Sequence, residues 1–104
     1  MPLPAQETDA WRHVEPIAPS DAERFQASRR ALGEFLASRF AGAFGVEVDE
    51  VLFETFPDGL YATLYVSGRG LSAHNVWAVA MSSRMREAAV EVSVVVLPSS
   101  SRLE

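Results

Sequence analysis

Three side chains near the middle of the chain are placed to hold an anion together: Arg69, Ser72 and His74. The stretch Ser67-Gly68-Arg69-Gly70-Leu71-Ser72 joins an extended apolar run to a helical one, with Ser72 at the N-cap position. Backbone amides at such a helix start, with the Arg69 guanidinium, suit a phosphate or carboxylate. His74 falls in the first turn, where a general base could sit, but no hydroxyl or acid is spaced to complete a triad with it. The loop lacks the lysine of a Walker motif and the third glycine of a dinucleotide fingerprint. An ordinary strand-to-helix turn and a locally packed histidine account for the same residues.

A second cluster, Glu47, Asp49, Glu50 and Glu54, could serve acid–base chemistry or a hard cation. It lacks the patterned spacing and glycine of a calcium loop, so a solvated acidic start to a strand is the expectation. His13 and His74 are too far apart in sequence to form a metal pair by pattern. The absence of cysteine removes disulfides, thiolate zinc sites and cysteine nucleophiles. All nine basic residues are arginine, so lysine-based Schiff-base chemistry is excluded as well. No catalytic residue, metal or cofactor is expected, and an enzyme is the less favoured reading.

The element that must position everything else is a hairpin, Val51 to Val66. Pro57-Asp58-Gly59 supplies turn chemistry: proline pre-sets φ, aspartate follows, and glycine takes a left-handed bulge position. With those residues as the loop, Phe56 would sit opposite Leu60. Leu52, Phe56, Leu60, Ala62, Leu64 and Val66 would then face the core. The other face would carry Val51, Phe53, Thr55, Tyr61, Thr63 and Tyr65. A slip of one residue would exchange the two sets.

Around the hairpin the chain divides into an arm over residues 1–19, a domain over 20–98 and a tail over 99–104. The arm holds Pro2, Pro4, Pro16 and Pro19, with Trp11, Val14 and Ile17 available to dock it or to add an edge strand. Ser20-Asp21-Ala22-Glu23 reads as a capping box opening one helix to about Ala41–Phe44, with Phe25, Leu32, Phe35, Leu36 and Ala43 on its apolar stripe. A second helix, about Ala73 to Ala88, turns His74, Trp77, Ala78, Met81, Met85 and Ala88 inward, while Val76 and Val79 are unusually apolar for its outer side. Val90 to Leu97 is a strand ended by Pro98. Val90, Val92, Val94 and Val96 fall on one face, and Glu91, Ser93, Val95 and Leu97 on the other. Leu103-Glu104 reads as a cloning remnant.

The expected fold class is therefore α+β, a two-layer sandwich in the order α-β-β-α-β. Two helices cover one face of a three-stranded sheet, or of a four-stranded, ferredoxin-like one if the arm adds a strand. That order resembles ribosome-binding factor A, whose KH-like core carries a hairpin similar to Phe56-Pro-Asp-Gly-Leu-Tyr-Ala-Thr-Leu-Tyr-Val-Ser67. It is also similar to the ring-building modules of bacterial secretion systems and to the cytoplasmic domains of cation diffusion facilitators. The first resemblance implies RNA or ribosome binding, for which Arg69, Arg84 and Arg86 are the available cations.

A chain of this length with net charge −5 favours solubility and disfavours nucleic acid or anionic membranes. No run approaches the roughly twenty apolar residues of a membrane span, and no secretory signal is visible, so the cytoplasm is expected. Two helices can shelter one face of the sheet but hardly both. The expected role is a non-catalytic interaction or homodimerisation module. Its contact residues would be Val51, Phe53, Thr55, Tyr61, Thr63, Tyr65, Val95 and Leu97. RNA binding and anion binding at the Gly68-Arg69-Gly70 loop are the alternatives.

Overall fold

The computed structural model describes residues 14–67 and 71–102. Its elements run α1 (Pro19–Ala27), α2 (Arg29–Phe44), β1 (Val48–Phe56), β2 (Gly59–Val66), α3 (Leu71–Glu87) and β3 (Ser93–Pro98), closed by a short 3-10 turn at Ser99–Arg102. The strands form one mixed, open, three-stranded sheet in the order β1-β2-β3, antiparallel between β1 and β2 and parallel between β2 and β3. Among the described residues the arm adds no fourth strand; the part of that expectation resting on Trp11 to His13 lies outside them. Val14 itself is buried, and Arg84 Nε donates to its carbonyl at 2.9 Å, so the chain enters against α3.

The expected single first helix is two. Pro19 takes N1, where its missing N–H costs nothing, and the Ala18 carbonyl accepts from the Ala22 amide at 2.9 Å. The helix thus starts one residue before Ser20, and the capping box does not form. Ser28 is the residue that caps: its backbone is extended (φ −144°, ψ 113°), and its hydroxyl accepts from the Ala31 amide at 3.1 Å. The break resets the helical phase. α2 buries Leu32, Gly33, Leu36 and Phe40, and Ala43 points to solvent.

The hairpin register also differs from expectation by one residue. Phe56 pairs with Gly59, leaving Pro57-Asp58 as a two-residue turn, and Gly59 at φ +136° occupies a backbone region that a side chain would disfavour. From there Phe53 pairs with Ala62 and Val51 with Leu64. Val51, Phe53 and Thr55 therefore share the helix-facing side with Ala62 and Leu64, not the opposite one. The contacts agree: a β-carbon built on Gly33 of α2 would lie 3.3 Å from the Phe53 ring and 3.8 Å from Val51. The reason is electrostatic. The expected register would have turned Glu54 toward the helices, and an unpaired buried carboxylate is far more costly than a half-exposed Leu52.

The core between helices and sheet joins Leu32, Leu36 and Phe40 to Trp77, Met81 and Met85 and to Ala62, Leu64, Val66, Val94 and Val96. Ser82 pins α3 to β3, accepting from the Val94 amide and donating to the Ala78 carbonyl, both at 2.8 Å. Ala89 closes α3 in the left-handed region at φ 64°. The Val90 amide returns to the Met85 carbonyl at 2.8 Å, and Gln26 of α1 donates to the Ala89 carbonyl at 2.9 Å. Val90 and Val92 are buried as the alternation predicts, although the strand proper begins at Ser93.

Candidate functional site

The side of the sheet turned away from the helices carries a partly exposed set of apolar and aromatic side chains. The two registers set it out in three cross-strand rows: Glu54, Tyr61 and Ser93; Leu52, Thr63 and Val95; Glu50, Tyr65 and Leu97. Phe56 adds to the hairpin end, its ring edge-on to Tyr61 with centroids 5.2 Å apart. Leu97 is 38% exposed and Phe56 46%, whereas Thr63 in the central row is only 7% exposed, sheltered by larger neighbours. Of the eight residues expected on this face, Tyr61, Thr63, Tyr65, Val95 and Leu97 lie there. Val51, Phe53 and Thr55 do not, and Leu52 with Phe56 take their place. The missed pair was legible in the parity of Glu50 and Glu54, which share a face with both.

Tyr61 is fixed at the tip by its hydroxyl, which donates to Asp58 at 2.7 Å. That hydrogen bond, with the aspartate charge, raises the tyrosine pKa. At the other end Asp49 is the extra residue of a β-bulge between Val48 and Glu50. The bulge re-aims its carboxylate to accept from Ser67 Oγ at 2.9 Å and from Ser99 Oγ, joining the ends of all three strands. These two bonds hold its pKa below the usual carboxylate value. The acidic start of β1 thus has a structural task at Asp49.

The three residues expected to hold an anion are not brought together. Arg69 lies outside the described residues, and Ser72 is exposed on the first turn of α3. His74 is 2% exposed and packs edge-on against Phe40 and Phe44 (centroids 4.8 and 4.7 Å), with Nδ1 buried and without a hydrogen-bond partner. Burial lowers its pKa, keeping the ring neutral at pH 7 and unsuited to attract an anion. The unfolded chain, with histidine near 6.5, binds the proton more readily than the folded one. Stability should therefore hold above about pH 6.5 and fall as pH drops below it, levelling off beneath the folded-state value. Urea unfolding at pH 7.5 and 5 measures the loss. His74→Phe, which keeps an aromatic ring beside Phe40, should show a smaller loss than the parent.

Of the cations available for RNA, Arg84 is engaged with the Val14 carbonyl and with Glu87 at 3.2 Å, which leaves Arg86 exposed nearby. Among the described residues no helix is long and apolar enough to cross a membrane. Fold and site together define a small mixed α/β module, a hairpin and a parallel third strand backed by helices, with an apolar sheet face. No protein-family model, curated protein or solved structure matches the chain.

Proposed function

We propose that this chain is a non-catalytic association module, a two-layer α+β unit whose uncovered sheet face seats a second copy of itself. One observation carries this reading: Leu52, Tyr61, Tyr65, Val95 and Leu97 share one face of the sheet, opposite the face of the buried Ala62, Leu64, Val94 and Val96. Two tyrosines and a threonine among aliphatics give a surface that tolerates water in the monomer and gains by exclusion of water on pairing. Burying roughly 500 Å² of apolar surface would contribute about 12 kcal/mol, against association costs of about 4–15 kcal/mol. Pairing should therefore depend on concentration. Stacked sheets of two copies would set their strands close to parallel or near perpendicular, with side chains interdigitating.

Light scattering after size exclusion tests this with two single substitutions, Leu97→Arg and Tyr65→Glu. The parent should approach twice its 11.4 kDa mass as concentration rises, and both variants should stay at 11.4 kDa with unchanged far-UV circular dichroism. A parent that remains monomeric throughout overturns the reading. So does a dimer that neither substitution disturbs. Salt-sensitive retention of RNA by the parent at low ionic strength would instead favour the KH-like alternative.

A further inference from the structure

We propose that the chain's own N-terminal segment, residues 1–13, folds back over the outer side of α3 and seats the Trp11 indole against Val79 and Ala80. That segment lies outside the described residues, but the point at which it joins the fold is fixed. Val14 is buried, and Arg84 Nε donates to its carbonyl at 2.9 Å. Arg84 also pairs with Glu87 at 3.2 Å, so both ends of the guanidinium are committed.

The outer side of α3 gives a segment leaving that point something to cover. Val76, Val79, Ala80 and Ser83 line a groove of about 500 Å³, with Arg84 itself toward its C-terminal end. Val79 is 67% exposed, more so than either Phe56 or Leu97. Neither Val76 nor Val79 belongs to the core, whose members from this helix are Trp77, Ala78, Met81 and Met85 on the opposite side. Adjoining apolar residues on the solvent side of a helix mark a contact.

Reach and direction select the occupant. Downstream of Val14 the chain runs on the α2 side of Arg84, where residues 15–18 share a second groove with Phe35 of α2 and Trp77 of α3. Upstream, the same course carries it past Arg84 onto the outer side. Ala80 and Val79 precede Arg84 by four and five residues. That is about 6–8 Å along the helix axis at a rise of about 1.5 Å per residue. Three residues of extended chain span at most about 10 Å, enough to bring Trp11 to them. Trp11 is also the largest apolar side chain before Val14. A foreign peptide would have to compete with a segment tethered at an effective concentration of about millimolar. The seat lies on the far side of the helices from the sheet face of the proposed dimer, so the two ideas fail separately.

The test uses the full chain, which contains no cysteine, so an introduced pair reports a single contact. Ala10→Cys is combined with Ser83→Cys in one variant and with Glu54→Cys, on the sheet face, in another. Under mild oxidation at low protein concentration, the first pair should close an intramolecular disulfide roughly tenfold faster than the second. Val79→Asp or Trp11→Ser, added to the first pair, should each slow closure roughly tenfold, the factor lost with one large apolar contact. Far-UV circular dichroism should stay unchanged in both. In protein labelled with 5-fluorotryptophan, Val79→Asp should shift the Trp11 fluorine signal and leave that of the buried Trp77 in place. Leu97→Arg should leave closure of the first pair as it is. Equal rates for the two pairs, a faster second pair, disulfides formed between chains instead of within one, or closure that either substitution fails to slow would each overturn the proposal.

Discussion

Phe40→Ala is expected to lower the unfolding free energy by about 3–5 kcal/mol, the range for emptying a fully buried phenylalanine site. Phe40 has no exposed surface, and its ring lies 4.8 Å from Phe44, 4.8 Å from His74 and 5.3 Å from Trp77, centroid to centroid. With Phe44 it joins the C-terminal half of α2 to the start of α3. Removing it strands three aromatic side chains around one void, and the site cannot collapse without moving a helix. A domain of this size commonly has only about 5–15 kcal/mol to lose, so the variant should be partly unfolded or close to it. Urea unfolding followed by Trp fluorescence and far-UV circular dichroism measures the difference. Ala43→Gln, three residues on in the same helix and exposed, should stay within about 0.5 kcal/mol of the parent. Similar losses at the two positions would mean that the helix packs through a different face.

The hairpin register carries the second large effect. Phe53→Asp should cost about 3 kcal/mol or more, since it removes a ring packed on Gly33 and turns a carboxylate toward the helices. Leu52→Asp, one position earlier, should cost less than half as much, because Leu52 faces the uncovered side beside Thr63. The order of the two losses is the point: the register with Phe56 opposite Leu60 would reverse it. The same urea experiment reads both variants.

How much of this was readable beforehand differs from element to element. The third strand was: alternation in Val90–Val96 correctly divides buried from outward residues, since period two survives whatever the strand packs on. The second helix was legible from Trp77, Met81 and Met85, all buried. The hairpin's existence followed from Pro57-Asp58-Gly59, but its register did not follow from turn composition. Glycine at position 59 serves equally as the last loop residue or as the first paired one. What separates the two is the burial of Glu54, a cost felt only once a helix covers one side. The first helix shows the same dependence. Ser20 and Ser28 are both suitable caps by residue type. Pro19 at N1 and the packing of α1 against α2 select the second, and with it a phase that buries Phe40 and exposes Ala43.

The candidate chemistry divides along that line too. His74 by residue type is a base or an anion ligand. Only the rings of Phe40 and Phe44 on another helix, far away in sequence, make it a neutral, buried packing residue. By itself the amino-acid order determined the kinds of element and the surplus of apolar strand surface, because turn chemistry and periodicity act over a few neighbours. Which residues occupy the exposed side was decided by the tertiary structure. A strand has no preferred face until helices cover one, and the cost of burying Glu54 then selects the pairing.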